Sequence, residues 1–201
     1  MIIEIYGLPG AGKTTLAKKM ASEFNIPLIK IRGKTELFFY NLLYFFLHPA
    51  AFLKGFWYIF INSKNWRLFY YKFLNSFLHT NAKYEKSLRY KKALIDQGHF
   101  QNIISVFEEA VNEKGLLRYI QILPKPDKLI IFDIPEEIRK NHLLERGFSV
   151  REQFDGDYLE RWKDIIKENN NSFLRLLDKL SIDFLVIRHD EDVEKVFNRL
   201  L

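Results

Sequence analysis

Ile2-Ile3-Glu4-Ile5-Tyr6-Gly7-Leu8-Pro9-Gly10-Ala11-Gly12-Lys13-Thr14-Thr15-Leu16 is the stretch that decides the fold. Ile2–Tyr6 is a short β-rich run, and Thr14–Phe24 has helical spacing, with Leu16, Ala17, Met20, Ala21 and Phe24 on one face. Between them Gly7–Thr14 fits G-x-x-x-x-G-K-[ST], the loop that cradles nucleotide phosphates. Its glycines permit backbone angles other residues resist and let amides approach phosphate oxygens. The helix start adds a partial positive charge. Lys13 is expected to bridge the β- and γ-phosphates, and the Thr14 hydroxyl is a hard oxygen ligand for Mg²⁺. At average residue usage the pattern arises by chance on the order of once in a hundred chains of this length. Its place between a strand and a helix lowers that further. The expected nucleotide-binding set is Gly7, Pro9, Gly10, Ala11, Gly12, Lys13, Thr14 and Thr15.

Working outward, Ala93-Leu94-Ile95-Asp96-Gln97-Gly98 ends a further strand on a carboxylate. Open α/β sheets bind ligands at that edge. Asp96 is expected to share the Mg²⁺ with Thr14 or to take a proton from an attacking hydroxyl. The alternative is an Asp capping a helix that begins near Gly98. ATPases that activate water usually carry a second acid after this one, and here Gln97 stands there. An N-K-x-D base-recognition motif is absent as well. Both absences favour transfer to a bound hydroxyl or phosphate over hydrolysis.

Arg139, Arg146 and Arg151 follow the strand Lys128–Asp133. Arg139 and Arg146, two helical turns apart, share a face, and Gly147 separates Arg146 from Arg151. Guanidinium groups on a closing loop stabilise charge on a transferring phosphoryl group. Arg146 and Arg151 therefore join Lys13 and Asp96 as expected catalytic residues. Arg139 fits a solvated helix face paired with Glu136 equally well.

The remaining pattern alternates. Strands are expected at Pro27–Ile31 and Asp183–Arg188, and helices at Gly98–Lys114, Leu116–Leu123, Glu136–Glu145, Asp157–Leu180 and Asp190–Leu201. Such alternation implies an open parallel α/β sheet with right-handed crossovers.

The 201 residues carry no cysteine, which excludes disulfides, thiolate nucleophiles and iron–sulfur clusters. The net charge of +6 and the 16% aromatic content are concentrated. Between Glu36 and Glu85 lie 48 residues without an acid, holding Lys54, Lys64, Arg67, Lys72 and Lys83. Leu37–Leu78 contains 17 of the 32 Phe, Tyr and Trp residues. This insert should form three or four helices, broken near His48-Pro49 and Asn62–Asn65. The N-terminus lacks the basic region of a signal peptide. Asn41, His48, Pro49 and Lys54 interrupt the apolar run Leu37–Ile61, so no membrane span is expected. The expected location is cytoplasmic.

GLPGAGKTT, LIDQG, DKLIIFDIPEEIRKNHLLERG and REQFDGDYLERW together resemble the P-loop kinases of the nucleoside and nucleotide kinase group, most closely thymidylate kinase-like proteins. The resemblance covers about two-thirds of the chain. It implies a P-loop three-layer sandwich with a five-stranded parallel sheet in the order 2-3-1-4-5. It also implies ATP and Mg²⁺ as cofactors, a lid over residues 145–157, and a loop at Arg188–Glu191 near the adenine. One domain, 1–201, would carry the helical insert at 34–91. Two departures stand out. Gln97 replaces the arginine that usually holds the acceptor, and His142 replaces the arginine that usually lies against adenine, where its ring could stack, so His142 joins the expected nucleotide-binding residues. Residues 33–90 do not match the acceptor region of thymidylate kinases, so the phosphoryl acceptor is left as a nucleoside, a nucleotide, or a hydrophobic or anionic metabolite.

The insert falls where this group keeps its acceptor site, and three readings stand side by side. It is a helical subdomain whose aromatics are core or a homodimer interface. It is an acceptor pocket with Arg32, Lys34 and His48 as contacts. Or it docks through 37–78 on the inner face of a membrane. Nucleic acid is a weaker partner, since +5 over 48 residues is modest for phosphate-backbone binding. The expected activity is an ATP- and Mg²⁺-dependent phosphotransferase. The alternative is a nucleotide-binding switch that signals through the insert.

Overall fold

In the computed structural model, residues 1–146 and 156–188 are described, with the backbone alone at 144–146. Four strands, β1 (Ile2–Tyr6), β2 (Ala93–Ile95), β3 (Lys128–Asp133) and β4 (Asp183–Arg188), form one parallel sheet in the order β2-β1-β3-β4. β1 is buried at every position, as a strand covered on both faces must be. Ile3 and Ile5 point to one face and pack with Leu94, Ile130 and Ile187 against Leu16, Ala17 and Met20 of α1 (Lys13–Glu23). Ile2, Glu4 and Tyr6 alternate to the other face.

This sheet corrects the expected one in number: four strands replace five, so the order is β2-β1-β3-β4 instead of 2-3-1-4-5, although each remaining strand keeps its expected neighbours. The missing strand is Pro27–Ile31, reduced to an isolated parallel bridge between Leu28 and Leu94. The Leu94 amide donates to Pro27 O and the Ile29 amide to Leu94 O. The ladder stops there, and the Arg32 amide instead donates to the Glu36 carboxylate.

The insert is helical, as expected. α2 (Lys34–Leu47) turns at His48 into α3 (Pro49–Ile61), whose first residue is a proline, where the absent N–H costs nothing. Asn65 caps α4 (Trp66–Lys72) by accepting from the Leu68 amide. α4 runs through a π-helical segment, Phe73–Leu78, into α5 (His79–Ser87). Carbonyls of the π segment are taken up by side chains. Asn102 Nδ2 and Thr80 Oγ1 donate to Ser76 O, and Asn41 Nδ2 donates to Leu78 O.

The insert joins the body's core. Ile59, Phe69 and Phe77 are buried in one cluster with Tyr6, Leu129 and Ile131 of the sheet. Leu116, Tyr119 and Ile120 of α6 (Glu113–Ile120) belong to it, as do Ile166, Phe173 and Leu176 of α8 (Gly156–Leu176). Lys72 is buried and donates to Asn62 O, to Val106 O and to Glu108 Oε1, the last at 2.6 Å.

The expected helix Gly98–Lys114 is a second correction. Within it only the first two residues of α6 and Phe100–Ile104, as a 3₁₀ turn, are helical. The following backbone is held by distant side chains, Lys72 on Val106 O and Asn169 on both Val111 N and Glu109 O. Asn169, in the polar Asn169–Asn171 triplet, is thus a buried clamp within α8. α7 (Glu136–Arg146) follows β3. The expected closing helix Asp190–Leu201 lies outside the described residues.

Candidate active site

The loop after β1 takes the conformation its glycines allow. Gly10 and Gly12 have φ of 83° and 84°, and Gly12 leads directly into α1. The Ala11 amide closes the turn on Leu8 O. Lys13 curls back over the loop, its Nζ donating to Gly7 O at 2.7 Å and Leu8 O at 2.9 Å. Gln101, on the 3₁₀ turn, clamps the loop's entry: Nε2 donates to Gly7 O at 3.0 Å and Oε1 accepts from Gly7 N at 3.3 Å.

Asp96 follows the last residue of β2, and β2 lies beside β1, so the carboxylate meets the start of α1. Thr14 Oγ1 lies 3.4 Å from Asp96 Oδ2. Lys83 of α5 donates to Asp96 Oδ1 at 2.9 Å and to Gln97 O. The alternative reading, a helix cap, is not realised: the helical turn begins only at Phe100, and the Asp96 oxygens face Thr14 and Lys83.

The outer wall of the loop is α7. Its Arg139 carbonyl lies against Gly10, where an added Cβ would come within 2.7 Å. Arg139 Nη1 approaches Pro9 O at 3.4 Å. His142 Nδ1 is 3.0 Å from Gly10 O. A carbonyl can only accept, so Nδ1 carries the proton. Both side chains therefore brace the loop from outside. Arg146 ends α7, its side chain outside the description, and Arg151 and most of the 145–157 lid lie outside the described residues.

The sequence reading passed over Glu4, which interrupts an otherwise apolar strand. It is buried and accepts from the amides of Phe100 at 2.8 Å and Gln101 at 3.2 Å. Gly98 packs directly on its carboxylate. Burial raises its pKa from 4.5 to about 7 against those hydrogen bonds. Glu4 thus fixes the turn that carries Asp96 at one end and Gln101 at the other. Lys83 is a second such residue: only the fold brings it onto Asp96.

On the insert side of Asp96, the rings of Tyr44, His48, Tyr84 and His99 touch, with centroids 5.0 to 6.4 Å apart. His99 Nε2 meets Asn81 Oδ1 at 2.9 Å, and His48 Nε2 is 3.5 Å from Glu85 Oε2. Burial lowers the His99 pKa to about 3, so the ring is neutral. Asn81 Nδ2, His99 Nδ1, His48 Nε2 and Glu85 Oε2 are buried without a hydrogen-bond partner among the described residues. Of the expected acceptor contacts, His48 belongs to this cluster, while Arg32 and Lys34 are exposed at the start of α2.

Loop, carboxylate and sheet order together define a parallel α/β fold with a phosphate-binding loop. Residues 3–40 match the family model for ATPases associated with various cellular activities (AAA). No curated protein matches the chain. Among solved structures, deoxyadenosine kinase from M. mycoides with bound dATP aligns over 100% of this chain and 98% of that one, at TM-score 0.61 and 15% identity. The same kinase with dCMP and dCDP aligns over the same shares at TM-score 0.56 and 17% identity. At these identities the likeness is one of fold alone. The finer expectation, a thymidylate kinase-like protein, has no support in it.

Proposed function

We propose that the chain is an ATP-dependent phosphotransferase acting on a small-molecule acceptor, nucleoside- or nucleotide-like. The observation that carries this reading is the meeting of Thr14 and Asp96 beside Lys13 at the mouth of the glycine loop. A hydroxyl and a carboxylate oxygen are the hard donors Mg²⁺ takes when phosphates and water complete its shell. Among the described residues no cluster of three or more His, Asp or Glu competes as a metal site. Bound there with nucleotide, Mg²⁺ would neutralise charge on the transferring phosphoryl group, with Thr14 and Asp96 as the residues to hold it.

The chain's own groups do the rest. With the Ala11 amide closing the turn on Leu8 O, the amides of Gly10, Gly12, Lys13, Thr14 and Thr15 are left to donate to the phosphates, and Lys13 exchanges its carbonyl partners for phosphate oxygens. Asp96, oriented by Lys83, accepts the proton of an acceptor hydroxyl. Stabilisation of charge on the γ-phosphate is assigned to Arg146 and Arg151. The acceptor sits on the insert side of Asp96. The buried polar atoms of Asn81, His99, His48 and Glu85 support a polar ligand there, since such atoms are costly unless something satisfies them.

The test is γ-phosphate transfer from labelled ATP to a panel of nucleosides, nucleotides, sugars and lipid alcohols. Transfer to a member of the panel, abolished by Lys13→Ala, is expected. Full activity of Lys13→Ala, or tight nucleotide binding with transfer to nothing on the panel, would overturn the reading, and the second outcome would favour a switch.

A further inference from the structure

The insert has two apolar faces, and only one is used. On α2, Tyr40, Asn41 and Tyr44 turn inward. Phe38, Leu42, Phe45 and Phe46, spaced i, i+4, i+7 and i+8, form an exposed stripe. On α3, Gly55 and Ile59 are buried, and Leu53, Trp57, Phe60 and Ile61 repeat that spacing outside. Trp66 and Tyr70 extend it onto α4. The stripes connect through ring contacts: Phe46 to Phe45, Phe45 to Phe52, and Phe60 to Trp57 and Phe69. Phe46 is 68% exposed, Trp57 58% and Trp66 73%. A monomer in water seldom leaves so many large apolar side chains together and uncovered.

Charge indicates what covers this face. Exposed Lys54, Lys64 and Arg67 lie along it, and no acid occurs from 37 to 84. The flanking acids are engaged elsewhere, Glu36 with Lys86 and Glu85 buried beside His48. In a two-fold dimer the same patch meets itself. This patch would then set cations against cations with no carboxylate to pair them. A surface that is apolar, rich in Trp and Tyr, fringed with cations and free of acids is instead complementary to an anionic bilayer. No single described helix is long and apolar enough to cross a membrane, and α2 and α3 are bent by 114° to each other. The fit is therefore to the interface, not the interior.

We propose that this face of α2, α3 and the start of α4 docks on the surface of an anionic lipid bilayer, with the aromatic stripes in the headgroup–acyl boundary and Lys54 and Lys64 against the headgroups. The proposal is independent of the reaction the site performs.

Flotation of the full chain tests it, with vesicles of phosphatidylcholine alone or mixed with phosphatidylglycerol. The chain should float with the mixed vesicles at low salt, lose binding as salt rises, and show a blue shift in tryptophan emission. Trp57→Glu and Phe46→Glu, at exposed positions, should abolish flotation with circular dichroism unchanged. Lys54→Ala and Lys64→Ala should each weaken it about fivefold. No flotation with mixed vesicles would overturn the proposal. So would equal binding to both vesicle types, or a dimer in sedimentation that Trp57→Glu dissociates, which would assign the face to a second copy of the chain.

Discussion

Lys83 Nζ lies 2.9 Å from Asp96 Oδ1, so the carboxylate facing Thr14 is held from behind by a cation of the insert. Lys83 and Thr14, far apart in sequence, each engage one oxygen of the same carboxylate. Removing the cation leaves Asp96 free to rotate away from Thr14. Lys83→Met should lower kcat by about 100-fold, the loss typical of a displaced reacting group, while changing ATP affinity little. Lys83→Arg should restore part of it. Steady-state kinetics on the acceptor found by the panel, with calorimetric ATP titration, check this. An equal loss in ATP affinity would mean that Lys83 acts on the loop instead.

Gly10 cannot be replaced without moving α7. Its φ of 83° costs an L-residue roughly 1–2 kcal/mol. The new Cβ would come 2.7 Å from Arg139 O and 2.8 Å from Leu143 Cγ. Gly10→Ala should therefore push α7 off the loop and break the His142 contact to Gly10 O. ATP affinity should fall at least about tenfold, as a loss of 1.4 kcal/mol or more requires. Gly33→Ala is the control: nothing lies within 4 Å of the added methyl, and its φ of −173° is extended backbone. ATP titration and thermal melting of both variants check the contrast.

The same contrast between local and distant causes explains which parts were legible in the sequence. Ile2–Tyr6, Lys128–Asp133 and Asp183–Arg188 form strands at the residues expected, because each is a run whose ends the neighbouring residues mark. The glycine loop and Asp96 were legible because their chemistry is local. Phe100, Ile103, Ile104 and Phe107 also have helical spacing, yet the helix stops at Ile104. Lys72 and Asn169 capture the next carbonyls and amides, and nothing near Phe107 in sequence announces them. Glu4, Lys83 and Gln101 were missed for that reason: each acts on a partner brought close only by the fold. Two of the insert's five cations likewise serve the body and not the insert's surface, since Lys72 and Lys83 are paired with Glu108 and Asp96.

Lys72 and Glu108 are both buried, and every polar atom of each side chain is engaged. Lys72 has three acceptors, and the second Glu108 oxygen accepts from Tyr158 OH at 2.9 Å. Removing one charge strands the other in a dry site. Lys72→Met should destabilise the protein by about 3–5 kcal/mol. Lys72→Met with Glu108→Gln should recover part of the loss, because no uncompensated charge remains. Urea denaturation of the parent, the two single variants and the double variant closes the cycle. Additive losses would show that the two groups do not interact.

Glu4 and His99 pull stability in opposite directions with pH. The Glu4 pKa is raised from 4.5 to about 7, so between these values the folded chain keeps a proton that the unfolded chain has lost. Stability from this group is full below pH 4.5 and is lost as pH rises through 7, by roughly 3 kcal/mol in all. The His99 pKa is lowered from 6.5 to about 3, so between these values the unfolded chain holds the extra proton and stability is lost as pH falls. From 4.5 to 6.5 the two slopes cancel. Glu85, raised by burial, adds to the slope of Glu4. Glu4→Gln keeps an acceptor for the amides of Phe100 and Gln101 and removes the titration. Its stability relative to the parent should therefore rise steadily from pH 4.5 to 7 and be flat outside that window. Denaturant midpoints for parent and variant at half-unit pH steps measure the difference directly, with His99 and Glu85 common to both. A difference that does not vary with pH would mean that Glu4 ionises in the folded chain as it does in the unfolded one.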